Sequence, residues 1–522
     1  MALPAYDTAR TEMSMFDALL KARADYGKDK EILWDANDDR KLTYNDIVRG
    51  AFALGNALKK LTAKGETVAI MLPTGAAAVI AFFALHAFGR VPAMLNFTAG
   101  ERSLVAALKL GNIKTVLTAK RFIEIGKLEE LVGELGQHSA IVHLDEVREK
   151  LTLGDKMTAL FGAMMPGLFK ARKTASDTGV ILFTSGTEGD PKGVVLSHQN
   201  ILANVEQVRC HIELFDTDIV FNPLPTFHCF GLTVGALLPM LVGVKEILYP
   251  SPLHVSIIPK KIRDSGATIL LATDTFIGHY ARQGDQGDLN SVRLAVCGAE
   301  RVRDETRQLV RKKYNIEILE GYGVTEGAPV VAANQIEDNR PGTVGKLMPM
   351  MESRLEPVEG IPNAGRLFVK GPNVMAGYLS PDKPGVVQAP EGGWHDTGDV
   401  VNIDKHGFIA IKGRLKRFAK IGGEMVSLTV VENCATALWP DNMHAAVAIP
   451  DARKGEQIVL ITDSKDANRA DLHGWAHNHG VPELAVPRKI LLVDEVPLLG
   501  TGKTNYVAVQ KMADAEIEPK AA

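Results

Sequence analysis

The chain has 522 residues, more than one ordinary domain holds, and this length predicts two to four structural units. Hydrophobic residues make up 46% and charged residues 23%, the balance of a soluble globular protein with a large core. A net charge of -3 argues against a nucleic-acid binder; the four cysteines, Cys210, Cys229, Cys297 and Cys434, form no CxxC pair, so neither a disulfide framework nor a zinc site is expected and a reducing cytoplasm is the simplest setting.

The first residues, MALPAYDTARTEMSMF, lack a basic start followed by an apolar run, so no secretory signal is expected. From about residue 41 to 330, helical patterns such as Tyr44 to Leu61 alternate with short apolar runs. Val68 to Leu72, Thr115 to Thr118, Val180 to Thr184, Thr268 to Ala272 and Leu294 to Gly298 read as buried strands. That alternation predicts an α/β fold with doubly wound, largely parallel sheets. The apolar stretches Ala76 to Gly89 and Phe230 to Val244 contain His86 and Pro239 and read as core rather than membrane spans.

The segment 151–174, LTLGDKMTALFGAMMPGLFKARKT, mixes Leu, Met and Phe with Lys156, Lys170, Arg172 and Lys173. It reads either as a loop packed on the large domain or as a basic amphipathic segment touching a membrane or an acidic partner. The second reading adds a peripheral position on the inner membrane face to a cytoplasmic location. After Gly342 the strands shorten and Gly and Pro recur, as in Gly365 to Tyr378, which predicts a β-rich subdomain. A small α+β unit is expected from Arg414 onward, giving domains 1–413 and 414–522.

Thr184-Ser185-Gly186-Thr187-Glu188-Gly189-Asp190-Pro191-Lys192-Gly193 follows an apolar strand. Its glycines let backbone approach a polyphosphate, its hydroxyls and N–H groups donate, and Lys192 adds positive charge. The GxxxxGK(S/T) spacing of a Walker A loop is absent. Gly298-Ala299-Glu300 ends a predicted strand, where α/β sheets bind ligands. Glu326 is a hard oxygen ligand suited to Mg²⁺, Thr325 a donor, Tyr322 an aromatic face and Asp399 an acceptor for paired hydroxyls.

The ten-residue string is similar to the phosphate loop of the adenylate-forming superfamily. Leu224-Pro225-Thr226-Phe227-His228, Gly321-Tyr322-Gly323-Val324-Thr325-Glu326, Asp396-Thr397-Gly398-Asp399, Gly413-Arg414-Leu415-Lys416 and Gly502-Lys503 follow in that family's order across essentially the whole chain. The resemblance implies ATP and Mg²⁺ as cofactors. It implies Thr184, Ser185, Gly186, Thr187, Gly189 and Lys192 on the phosphates, and Gly298, Ala299, Glu300, Gly321, Tyr322, Asp399 and Arg414 around the nucleotide. His228, Thr325, Glu326, Lys420 and Lys503 are implied as catalytic, with Glu326 also the metal ligand. Lys416 is the implied hinge, about which a small C-terminal domain turns. Lys503 then serves adenylation, and Lys420 with the Gly422-Gly423 turn serves thioester formation.

Longer strings, among them Leu202 to Gln207, Leu248 to His254, Gly278 to Arg282, Arg417 to Ile421 and His479 to Arg488, resemble the synthetase half of bifunctional 2-acylglycerophosphoethanolamine acyltransferase/acyl-ACP synthetases. This implies a fatty acid as substrate, acyl carrier protein as thiol partner and a place in phospholipid recycling; coenzyme A is the alternative acceptor, and a non-catalytic homologue a distant one. The acyltransferase domain that precedes that synthetase is not expected here, and His211 with Asp216 is a chance His-x-x-x-x-Asp match. The chain reads either as a stand-alone synthetase or as a piece of a longer protein.

Overall fold

The computed structural model describes residues 3–184, 191–361, 363–383, 385–421, 423–451, 453–498 and 504–515. The chain forms two compact units, Met1–Glu352 with Lys370–His395, and Ser353–Val369 with Asp396–Ala522.

The first unit is built on two large sheets. In one, Glu31–Asp35, Lys245–Leu248, Ile219–Asn222, Ile269–Ala272, Leu294–Cys297 and Glu317–Gly323 run parallel side by side. In the other, Ala140–His143, Thr115–Thr118, Thr67–Ile70, Val91–Met94 and Thr178–Thr184 do the same. Several of these strands are buried at every position, as expected when helices cover both faces of a parallel sheet. The expected strands therefore form, with ends shifted by one or two residues.

Both sheets change direction at an edge that matters for the site. Thr178–Thr184 turns back into the antiparallel Lys192–Ser197, which pairs with Gly377–Leu379. Glu317–Gly323 turns back into Val330–Ala333. The helix Ala76–Ala87 is apolar all round and almost wholly buried, the core element its composition implies. Phe230–Leu237 winds as a π-helix before Leu238–Leu241, so the second apolar stretch is also core. Among the described residues no helix is long and apolar enough to cross a membrane. The segment 151–174 is neither a loop nor extended: it folds into the helix Leu153–Met164 and a short turn, Pro166–Phe169.

In the second unit, Gly365–Lys370, His395–Ile403 and Ile409–Arg414 form a small sheet with Glu352–Pro357. A second sheet contains Glu424–Ser427, Phe418–Ile421, Gly455–Thr462, His444–Asp451 and Lys489–Leu492, and carries the helices Leu428–Leu438, Arg469–Asn478 and Tyr506–Ala515.

Candidate active site

The first unit assembles its site at the strand turns. Thr184 and Lys192 are register partners at the open end of their hairpin. Tyr378 lies opposite Val194 on the next strand, so Lys192 is its diagonal neighbour. The Lys192 ammonium accordingly sits 5.0 Å from the centre of the Tyr378 ring, within cation–π range. The Tyr378 hydroxyl donates to Glu326 Oε1 at 2.6 Å. One tyrosine thus links the lysine of the expected phosphate loop to the carboxylate expected to hold Mg²⁺. Ser185, Gly186, Thr187 and Gly189 lie outside the described residues, as do Gly422 and Lys503.

Thr325 and Glu326 share a 3-10 turn, Thr325–Gly327, that is held from behind. The helix His198–Arg209 turns a polar stripe of Asn200, Asn204 and Gln207 inward at helical spacing. Asn204 Nδ2 donates to the Val330 carbonyl at 2.8 Å, and its Oδ1 accepts from the Val330 N–H at 3.0 Å, in the manner of a neighbouring strand. Gln207 Nε2 donates to Asn373 Oδ1 at 3.1 Å, and Asn373 Nδ2 donates to the Gly327 carbonyl at 2.7 Å. Asn204, Gln207 and Asn373 are fully buried, so each bond is expensive to lose.

Tyr378 and these amides are absent from the sequence expectations. Leu202 to Gln207 attracts notice there only as a string. The spacing of its two amides, extended back to Asn200, is the signal that a helix points polar groups into a core.

Gly298 and Gly321 sit at the ends of adjacent parallel strands; a Cβ at Gly298 would lie 3.7 Å from the Gly321 carbonyl oxygen. Between them and the following helix, Ala299 holds a left-handed backbone at φ 68°, a conformation that costs a non-glycine residue about 1 kcal/mol or more and concentrates at functional sites. Tyr322 is buried. Glu300 is used differently from its neighbours: Oε2 accepts from the Thr275 N–H at 3.0 Å and its hydroxyl at 2.8 Å, in the first turn of Asp274–Gln283. His228 is half-buried, with Nδ1 accepting from the Phe230 N–H at 3.4 Å.

Among the described residues no group of three or more His, Cys, Asp or Glu converges on a metal position. A single carboxylate such as Glu326, beside a phosphate loop, suits Mg²⁺ that arrives on phosphates.

In the second unit, Asp399 and Arg414 are register partners on antiparallel strands, and Arg414 Nε lies 3.1 Å from Asp399 Oδ1. Asp399 is buried and Arg414 exposed. Lys416 is exposed on the short turn Leu415–Arg417. Lys420 is exposed with Nζ 3.8 Å from Glu359. Arg417, one residue beyond the expected hinge, behaves otherwise. Its guanidinium donates to Glu432 Oε1 and to the Ala446 carbonyl, each at 2.6 Å, and lies 3.7 Å from the centre of the Tyr506 ring. His211 Nε2 is bonded to the Ala333 carbonyl oxygen at 2.8 Å, a core contact consistent with a chance motif.

The family profile described as AMP-binding enzyme matches residues 20–379. The chain belongs to this family of AMP-binding enzymes. Within it, the long-chain-fatty-acid–CoA ligase of Bacillus subtilis (strain 168) is 28% identical over 510 residues, covering 89% of this chain and 89% of that protein. The enzyme of the same name from Salmonella typhimurium is 26% identical over 494 residues, covering 88% and 87%. Among solved structures, the ATP-bound MatB of Rhodopseudomonas palustris superposes with a TM-score of 0.80 at 23% identity, covering 97% of this chain and 99% of its own. The anthranilate CoA ligase AuaEII with anthranoyl-AMP gives 0.80 at 22%, covering 98% and 100%. These two likenesses establish the fold, a large N-terminal and a smaller C-terminal part. None of the four is named for a carrier protein.

Proposed function

We propose that this AMP-binding enzyme is a fatty acid–thiol ligase. Its carboxylate substrate attacks the α-phosphate of ATP, releasing pyrophosphate and leaving acyl-AMP; a thiol then attacks the acyl carbon, forming the thioester and releasing AMP. The observation that carries this reading is the Lys192–Tyr378–Glu326 arrangement at the mouth of the 184–192 hairpin. It gives a cation for phosphate oxygens and a carboxylate for Mg²⁺ in one place. When bound, Mg²⁺ would neutralise the polyphosphate, with Glu326 as its protein ligand and Tyr378 fixing one oxygen of that carboxylate. Asp399 would accept from the ribose hydroxyls, with Arg414 orienting it. Lys503 would stabilise charge in adenylation and Lys420 would serve the second half-reaction after a turn about Lys416, the segment 414–522 being the part that moves.

Coenzyme A is the acceptor we favour. The relatives named for fatty acids are named for CoA as well. Of the basic positions an acidic carrier protein could meet, Lys260, Lys261, Arg263, Arg414 to Lys420, Arg488 and Lys489, several are paired: Arg417 with Glu432, Arg263 with Asp264 and Asp288, and Arg488 with Asp451. Part of the string evidence for a carrier protein has structural uses instead, since Asn204 and Gln207 brace the catalytic turn and His479 stacks on Trp475 at 4.0 Å. Acyl carrier protein is the alternative, and Lys260 is an exposed cation it could use. Fatty-acid-dependent ATP–pyrophosphate exchange tests the first step. Thioester formation with both thiols at matched concentration tests the second, and a faster rate with the carrier protein reverses our assignment.

A further inference from the structure

The helix Leu153–Met164 is mounted inside out. A surface helix normally turns its apolar stripe to the core. This one turns Asp155 inward, to 1% exposure, where it accepts from Asn56 Nδ2 at 2.6 Å and Lys60 Nζ at 2.9 Å. Burial pushes the Asp155 carboxyl pKa up, but the bonds from Thr152, Lys60 and Asn56 outweigh it and hold the group well below the usual carboxylate range. Gly162 lets the same face close onto Phe52, whose ring atoms lie within 2.9 Å of where a Cβ would be. Arg23 Nη1 adds a bond to the Ala163 carbonyl at 2.9 Å. The helix is therefore fixed in this orientation by its polar side and cannot roll its leucines inward.

The outward face carries Leu153, Met157, Leu160 and Met164, spaced four, three and four residues apart as one continuous stripe, and Met165 and Leu168 extend it. Leu153 is 77% exposed, Met164 66% and Leu168 78%. Apolar patches of this kind on a soluble protein mark an interaction surface. Its surroundings are basic. Segment 151–174 has the cations Lys156, Lys170, Arg172 and Lys173 against the single acid Asp155, which is spent on Lys60. Lys170 and Lys173 pair with Asp17 and Asp177, while Lys156 and Arg172 are exposed beside the stripe. Lys64 approaches the same place, since both its side chain and that of Lys173 lie within 4 Å of a Cβ built at Gly89.

We propose that this face docks the enzyme on an anionic phospholipid surface, the leucines and methionines entering the headgroup boundary and the cations meeting lipid phosphates. A second copy of the chain fits less well, because a two-fold interface would set this basic rim against itself. The proposal rests on the segment 151–174 and the neighbouring Lys64, and stands or falls apart from the choice of substrate.

The test is co-sedimentation of the full chain with vesicles of phosphatidylcholine containing phosphatidylglycerol, and with phosphatidylcholine alone. Binding is expected to the anionic vesicles, weaker by about tenfold or more at 0.5 M salt, where the screening length falls well below the roughly 8 Å of physiological salt. The triple variant Leu153→Ser, Met164→Ser, Leu168→Ser alters only exposed positions and should lose at least about tenfold in partitioning, since each buried CH₂ contributes. Its circular dichroism and ATP–pyrophosphate exchange with a short, water-soluble acid should be unchanged. Absence of binding by the wild-type chain overturns the proposal. So does equal binding by the triple variant, concentration-dependent dimerisation that the triple variant abolishes, or capture by an acidic protein without any affinity for vesicles.

Discussion

The two units hold their site residues by opposite means. In the first, Thr325 and Glu326 lie on a turn braced from behind by Asn204, Gln207 and Asn373, with Tyr378 bonded to the carboxylate. In the second, Arg414, Lys416 and Lys420 stand exposed, and what is bonded tightly there is the neighbour, Arg417. A group that must meet a charged triphosphate in one geometry is worth fixing before the ligand arrives. The exposed cations of the second unit are held more loosely, Arg414 by one contact to Asp399 and Lys420 by a 3.8 Å approach to Glu359.

The largest effect we expect breaks this division at its mobile end. Lys503→Ala should lower adenylate formation by about 10²–10³-fold, the range for loss of one charge-stabilising donor, while largely sparing thioester formation from supplied acyl-adenylate. Single-turnover measurement of each half-reaction checks it, and an equal loss in both would remove the reason to separate the two conformations. At the fixed end, Asn373→Ala removes the donor to the Gly327 carbonyl and one of the acceptors of Gln207, which keeps its bond to the Pro349 carbonyl. We expect about 1–3 kcal/mol of lost stability, read by urea titration, together with a lower kcat that is not restored by excess Mg²⁺.

Lys416→Pro fixes φ near −65° and should slow thioester formation by about tenfold, equivalent to about 1.4 kcal/mol on that barrier, with adenylation retained. Tyr378→Phe removes one hydrogen bond to Glu326 and keeps the ring over Lys192. Its cost should be about 1 kcal/mol, seen as a several-fold rise in the Mg²⁺ concentration needed for half-maximal exchange.

The smallest effect separates the units by pH. His86 and His198 are buried in the first unit with ring centres 5.0 Å apart. Burial lowers the His198 pKa to about 4 from an ordinary 6.5, and lowers that of His86 as well, through burial first and the neighbouring His198 second. Both are therefore neutral in the folded protein, and their contribution is complete above pH 6.5 and lost as pH falls from 6.5 toward 4. At the size of this chain a change of 1 kcal/mol moves Tm by only about 1 °C. Calorimetry between pH 7 and 5 should show the first unit's transition shifting downward, and His198→Gln should flatten that shift while leaving the second unit's transition in place.

Much of this was readable in the sequence because parallel strands buried on both faces are continuous apolar runs, and because phosphate chemistry needs glycine, hydroxyl and lysine close together along the chain. Thr325, Glu326 and Lys192 were singled out by residue type and motif. Tyr378 was not, since its role depends on pairing with a strand that lies more than 180 residues earlier. Asn373 was hidden because its partners, Gln207 on a helix and the Gly327 carbonyl, are distant in sequence. Glu300, singled out with Gly298 and Ala299, has its carboxylate bonded to Thr275 in the first turn of Asp274–Gln283, a contact that only the fold reveals. Of the two readings of 151–174, the loop gives way to the helix Leu153–Met164, and periodicity reveals its apolar stripe without saying which way it faces. Asp155 decides that, through Asn56 on the helix Tyr44–Leu58 and Lys60 just beyond its end.

The Arg417–Glu432–Tyr506 cluster has a mechanical meaning. Arg417 follows the expected pivot directly, and Tyr506 begins the helix that comes after Lys503. Both close on the same carboxylate, at 2.6 Å and 3.1 Å, with the guanidinium lying against the phenol ring. The start and the end of the segment are thereby joined like a crank to its handle. If the segment turns about residue 416 as proposed, these contacts carry a rotation there directly to the helix Tyr506–Ala515.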